Sequence, residues 1–245
     1  MDIAGDIEVL KDPAAVAARA AQVIAKAMQG CAAPFRLALA GGSTPREAYK
    51  LLAARNDLPW PCIELFFGDE RFVPPDHKDS NYRMTRESLL ARGAAPRGLF
   101  AVPVDGTPQQ AAEAYEEILR QQYGASILEP GVPLFDLVLL GLGEDGHTAS
   151  LLPDQPVLNE RKRWVAAVPE GRGEPRITLT YPALESSRLI LFLVTGAAKR
   201  DALAQVRGEG ARGGALPAAA LRPQGRVLWL TDEAAAGAAD AGYGF

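Results

Sequence analysis

The sequence predicts an α/β fold: a layered, largely parallel sheet flanked by helices. Three observations carry that expectation. Several strand-length apolar runs are continuous rather than alternating, the pattern of strands covered on both faces. Helical patterns lie between them, and strands alternating with helices form crossover units. Several runs end abruptly in small or charged residues, and open α/β sheets bind ligands at the carboxyl ends of their strands.

In chain order, helix 14–28 has one apolar face and packs on the core. Strand 35–40 (FRLALA) runs into Gly41-Gly42-Ser43-Thr44-Pro45 and helix 46–55. Strand 63–67 (IELFF) runs into Gly68-Asp69-Glu70-Arg71. A polar loop with Pro74, Pro75 and His77 comes next, and Ser80-Asn81 is placed to cap helix 82–92. His77 there reads as a solvated histidine. Helix 109–122 precedes strand 135–140 (FDLVLL). Strands 164–168, 177–180 and 189–194 come next, then helix 197–207. The Gly- and Arg-rich stretch 208–214 is expected to be a mobile surface loop. Strand 227–230 and helix 233–239 complete the pattern. No repeat or linker appears, so one domain over 1–245 is expected.

Composition narrows the function. The chain is 48% hydrophobic and 23% charged with net charge −4, and it has no basic run. Nucleic acid is not expected as a partner, and any anion site must be local. Cys31 and Cys62 are too few for a disulfide framework or a cysteine metal cluster, which fits a reducing compartment. The N-terminus, MDIAGDIEVLKD, lacks the apolar core of a signal peptide. No apolar run approaches the roughly 20 residues of a membrane helix. A cytoplasmic protein without membrane or metal partners is the expectation.

The segment 135–153, FDLVLLGLGEDGHTASLLP, concentrates the chemistry. Its turn delivers Asp145 and His147, one of two histidines in the chain. Histidine titrates nearest neutrality and is the natural general base. The same turn spells GxGxxG over 141–146, a dinucleotide fingerprint. Three features oppose that reading. Glu144 and Asp145 would repel a pyrophosphate, His147 is an unusual helix opener, and Pro153 and Pro156 leave little room for a crossover helix. The glycines are therefore read as a tight turn that aims His147 into a cleft. Two residues apart, Asp145 and His147 cannot face each other on a regular helix, so contact between them requires an irregular turn.

Around it lie four further candidates. Gly41–Pro45 taken alone reads equally as an ordinary strand-to-helix turn or as a phosphate cradle: the glycines let backbone approach a ligand, Ser43 or Thr44 can cap the helix, and free N–H groups at the helix start attract an anion. It has no Walker-type lysine. Arg71, after the second strand, has the planar fork for a carboxylate, phosphate or carbonyl oxygen. Arg176 and Lys199, each at a strand edge, read singly as solvated charges; with the other strand-end loops they can close on an anion held by the glycines.

Together these stretches resemble the 6-phosphogluconolactonase family. The matching segments are LALAGGSTPREAY, FFGDERFVPPDHKDSNYRM, FDLVLLGLGEDGHTASLLP, RITLTYPAL and LFLVTGAAKRDAL, in the family's order and covering most of the chain. The resemblance implies hydrolysis of 6-phospho-D-glucono-1,5-lactone without a cofactor, the second step of the oxidative pentose phosphate pathway. It also implies a Rossmann-like fold shared with glucosamine-6-phosphate deaminases and ribose-5-phosphate isomerases. The deaminases are the main alternative. Their pattern carries a glutamate five positions after the histidine, where this chain has Leu152. It also carries Asp-Glu-Tyr where this chain has Asp69-Glu70-Arg71. Both departures favour the lactonase. A sugar-phosphate sensor is the non-enzymatic alternative, and it leaves His147 without a task. The expected site is His147 and Asp145 as catalytic residues, with Gly42, Ser43, Thr44, Arg176 and Lys199 at the phosphate. Asp69 and Arg71 are expected at the lactone end. The implied partner is a sugar-phosphate lactone, bound by a monomer or small homo-oligomer.

Overall fold

In a computed structural model the described residues are 3, 5–29, 34–209 and 216–237. The strands are β1 (Asp6–Leu10), β2 (Phe35–Leu39), β3 (Ile63–Phe67), β4 (Asp69–Arg71), β5 (Gly98–Leu99), β6 (Phe135–Gly141), β7 (Val165–Val168), β8 (Arg176–Leu179), β9 (Ser187–Val194) and β10 (Arg226–Asp232). The helices are α1 (Pro13–Gln29), α2 (Ser43–Ala53), α3 (Asn81–Ser88), α4 (Pro108–Tyr123), α5 (Tyr181–Glu185), α6 (Arg200–Val206) and α7 (Glu233–Ala236). Seven strands form one parallel sheet in the order β1-β10-β9-β6-β2-β3-β5.

The interior strands are apolar because helices cover them. Every residue of β3 is buried, as are Leu137–Leu140 of β6, and α1 packs on β9, β10 and α2. Phe192 and Trp229 stack across β9 and β10 with centroids 3.9 Å apart. Two fully buried tyrosines tie down strand ends. The Tyr49 hydroxyl of α2 bonds both the N–H and the C=O of Ala40, each at 2.9 Å. The Tyr115 hydroxyl of α4 does the same for Phe67, at 2.8 and 3.1 Å. Burial pushes both phenols well above their ordinary range. Backbone groups that would be orphaned where β2 and β3 end are thus satisfied, and the loops beyond them start from fixed points.

The expectation of a largely parallel sheet stands, with one correction. The strands expected at 164–168 and 177–180 do not join it. As β7 and β8 they form a small antiparallel sheet with β4, in the order β4-β8-β7. Seven residues separate β7 from β8, and a parallel crossover needs about a dozen or more. β1, β4 and the two-residue β5 were not expected. β1 is an exposed edge strand without an apolar run, and β4 has only three residues.

Helix ends also differ in places. The helix expected at 46–55 starts at Ser43, with Gly42 as its N-cap and no side-chain cap, so neither Ser43 nor Thr44 caps it. Ser80 does cap α3, accepting from the Arg83 N–H at 3.1 Å. The region 197–207 divides into a 3₁₀ turn, Ala197–Lys199, and α6. Residues 210–214 of the expected loop, 238–239 of the last expected helix and Cys31 lie outside the described residues. Among the described residues, no helix is long and apolar enough to cross a membrane.

Candidate active site

β2 and β6 are neighbours in the sheet, but the chain leaves β2 for β3 on one side and returns from β6 to β9 on the other. Diverging connections open a crevice at the carboxyl ends, the usual ligand position in such sheets. A cavity of about 310 Å³ lies there. It is lined by Gly42, Ser43, Thr44, Asp69, Arg71, His147, Arg176 and Lys199, so eight of the nine residues expected from the sequence converge on one space. The ninth, Asp145, stands behind His147.

The turn after β6 is irregular, and its glycines explain it. Gly146 has φ +74°, a left-handed conformation that glycine adopts freely. Gly143 has a different task. A Cβ there would sit 1.9 Å from His147 Nδ1 and 2.6 Å from Asp145 Oδ1, so the missing side chain is the space the pair occupies. Between β6 and α5 there is no α-helix, only a 3₁₀ turn at Pro156–Asn159. With 164–168 in the antiparallel sheet, the dinucleotide pattern has neither its crossover helix nor its second strand.

Within the turn, His147 Nδ1 lies 2.6 Å from Asp145 Oδ1. Nδ1 is thereby engaged, which leaves Nε2 as the nitrogen that can take a proton; an ionised Asp145 sets the Nδ1–H tautomer. Partial burial opposes ionisation of Asp145. The hydrogen bond from His147, then the charges of His147 and Arg172, outweigh it and hold the carboxyl below its usual range. Arg172 meets the other oxygen of Asp145. The sequence reading missed Arg172, because nothing local to the 169–175 loop points to a residue 27 positions earlier.

Further cavity residues come from β4. Strand alternation sends Asp69 and Arg71 to one face and Glu70 to the other. Asp69 accepts from Ser150 Oγ at 2.6 Å and from Asn81 Nδ2 through its backbone oxygen at 2.9 Å. Glu70 turns away and accepts the N–H groups of Asn81 and Tyr82, both at 2.7 Å, which fixes the start of α3. Burial raises its carboxyl above the ordinary range against those bonds. Asn81 explains Gly41, where a Cβ would meet its Oδ1 at 2.2 Å.

Arg71 and Arg176 are directly opposed across β4 and β8. Like charges in that position repel. Each has a buried Nε without a hydrogen-bond partner, and burial followed by the Arg71 charge pushes Arg176 below the usual guanidinium range. Both line the cavity; Arg176 also pairs with Glu174 at 3.2 Å and Arg71 donates to the Asp79 carbonyl at 2.5 Å, and each Nε left over is a donor that an anion in the cavity could take. Across the cavity the uncapped start of α2 adds backbone donors. Thr44 Oγ1 lies 3.1 Å from Thr195 Oγ1, and Lys199 Nζ lies 3.6 Å from Glu144 Oε1. His77 is far less engaged, 41% exposed beside Asp79. Among the described residues no group of three or more His, Cys, Asp or Glu is placed to hold a metal ion.

The model of the family described as glucosamine-6-phosphate isomerases/6-phosphogluconolactonase matches residues 11–229. The chain belongs to that family. Within the family it is 43% identical over 235 residues to a 6-phosphogluconolactonase of Nostoc sp., covering 94% of this chain and 96% of that one. It is 38% identical over 231 residues to the 6-phosphogluconolactonase of Homo sapiens, covering 91% and 88%. The 6-phosphogluconolactonase structure from Trypanosoma cruzi superposes with a TM-score of 0.85 at 27% identity, covering 98% and 99%. Leu152, five positions after His147, is 4% exposed in the core.

Proposed function

We propose that this chain hydrolyses 6-phospho-D-glucono-1,5-lactone to 6-phospho-D-gluconate, a step of sugar-phosphate metabolism. The observation that carries the reading is the Asp145–His147 pair, 2.6 Å apart, beside a cavity lined by His147 and by two opposed arginines. A base with a free nitrogen and two arginines with unpartnered Nε donors in one cleft suit a phosphorylated substrate with an electrophilic carbonyl. Relatives named 6-phosphogluconolactonase support the same reaction.

In the proposed mechanism His147 Nε2 takes a proton from water as its oxygen attacks the lactone carbonyl carbon. The carbonyl oxygen becomes an oxyanion near Arg71, where a fixed cation is worth more than in water. The intermediate collapses, the ring C–O bond breaks, and the imidazolium returns its proton to the departing ring oxygen. Asp145 holds the ring and offsets the transient imidazolium charge. Gly42, Ser43, Thr44, Arg176 and Lys199 hold the phosphate, and Asp69 accepts from sugar hydroxyls.

The test measures lactone loss in a glucose-6-phosphate dehydrogenase coupled assay beside ammonia release from glucosamine 6-phosphate. Lactone hydrolysis without ammonia release is expected. His147→Ala should lower kcat on the order of 10²–10⁴-fold, the range of general acid–base catalysis. The variant should still bind 6-phosphogluconate. Near-normal turnover in it would overturn the base assignment.

A further inference from the structure

The loop 169–175 joins β7 to β8 and ends at Arg176, a cavity residue. Its tip is Arg172, set between two glycines that shape a tight turn. Gly173 has φ +101° and donates its N–H to the Gly171 carbonyl at 3.0 Å. A Cβ on Gly171 would lie 1.9 Å from the Glu174 carbonyl oxygen. Arg172 therefore projects at a fixed point over the turn that carries His147. It does not line the cavity, and its guanidinium meets Asp145 Oδ2.

We propose that Arg172 is a positioning residue for the hydrolysis: it occupies Asp145 Oδ2, so that Oδ1 alone serves His147 Nδ1. A carboxylate has two equivalent oxygens and rotates about its last bond. Held at one oxygen only, it can swing and carry the imidazole off line. Held at both, it fixes the plane of the ring, and small misplacements of a catalytic group are costly. Asp145 is faced by His147 on its own turn and by Arg172 from this loop, and both favour its ionised form. The same loop pairs Glu174 with Arg176 at 3.2 Å. One short loop thus sets a cation on the base side of the cleft and another on the anion side.

The inference rests on the lactonase reading, and the experiment separates the two. Wild type, Arg172→Ala and Arg172→Lys are compared in the coupled assay. Each is also followed by the ¹³C carboxyl shift of Asp145 against pH, which needs no turnover. Arg172 is 54% exposed, so both variants should fold, and the melting temperature of Arg172→Ala should fall only slightly, in step with the Asp145 midpoint. Arg172→Ala should lose kcat about fivefold, the scale of one exposed ion pair, with KM within about twofold of wild type. Arg172→Lys should recover part of the loss, and the Asp145 midpoint should rise in Arg172→Ala and fall back in Arg172→Lys. A raised KM with unchanged kcat would make Arg172 a substrate ligand and overturn the proposal. So would unchanged kcat together with an unmoved midpoint. If wild type leaves the lactone untouched, the functional reading fails, and the Asp145 titration alone decides whether Arg172 holds the carboxylate.

Discussion

The turn after β2 and the turn after β6 leave adjacent strands of one sheet, and both open with glycines, yet only the first starts a helix. At Gly42 the chain enters α2 at once and leaves the first backbone donors without a side-chain cap. At Gly143 it folds into a turn that packs a carboxylate and an imidazole where a Cβ would be. One turn leaves uncapped backbone donors at the cavity; the other uses missing side-chain volume to seat two side chains against each other. Glycine spacing alone does not tell the two apart. The prolines beyond the glycines do: Pro45 suits the first turn of a helix, while Pro153 and Pro156 stop one.

The sharpest way to break that contrast is Gly143→Ala. Its φ is not in the left-handed region, so the backbone tolerates alanine and only the space is contested. We expect kcat to fall about 10²-fold or more, the scale of a 1 Å misplacement, with 6-phosphogluconate binding kept. Normal turnover would mean the pair tolerates displacement, and that the void at Gly143 has no role.

On the anion side the expected loss is smaller and of another kind. Arg176→Ala should raise KM roughly 10- to 100-fold, the worth of a hydrogen bond to a charged group, and change kcat less. A steady-state series showing unchanged KM would remove Arg176 from phosphate binding.

The smallest effect concerns pH. The folded-state carboxyl of Asp145 is held below its usual range, so its contribution to stability is present above the ordinary aspartate value of about 4. That contribution is lost as pH falls through the lowered value. Wild type should therefore melt above Asp145→Asn near neutrality, and the gap should close in acid. A gap that stays constant down to about pH 2 would show that the charge of Asp145 does not stabilise the turn.

Much was visible in single segments. Continuous apolar runs marked the interior strands, and each site residue except Arg172 sat just past one of them or on its edge. His147 stood out because histidine is rare here, and Leu152 because an acid was expected there in a deaminase. Glu70 could also have been set apart from Asp69 and Arg71, since three residues of strand alternate faces.

The sequence by itself determined the α/β class, the strand-end loops and the residue types of the site, because these depend on local periodicity and on short-range turn chemistry. Only the tertiary structure decided what meets what. It moved β7 and β8 into an antiparallel sheet with β4, which set Arg71 against Arg176 across 105 positions of chain. It also brought Arg172 onto Asp145 across 27. Such meetings arise from strand register and loop closure between distant segments, and no local pattern encodes them.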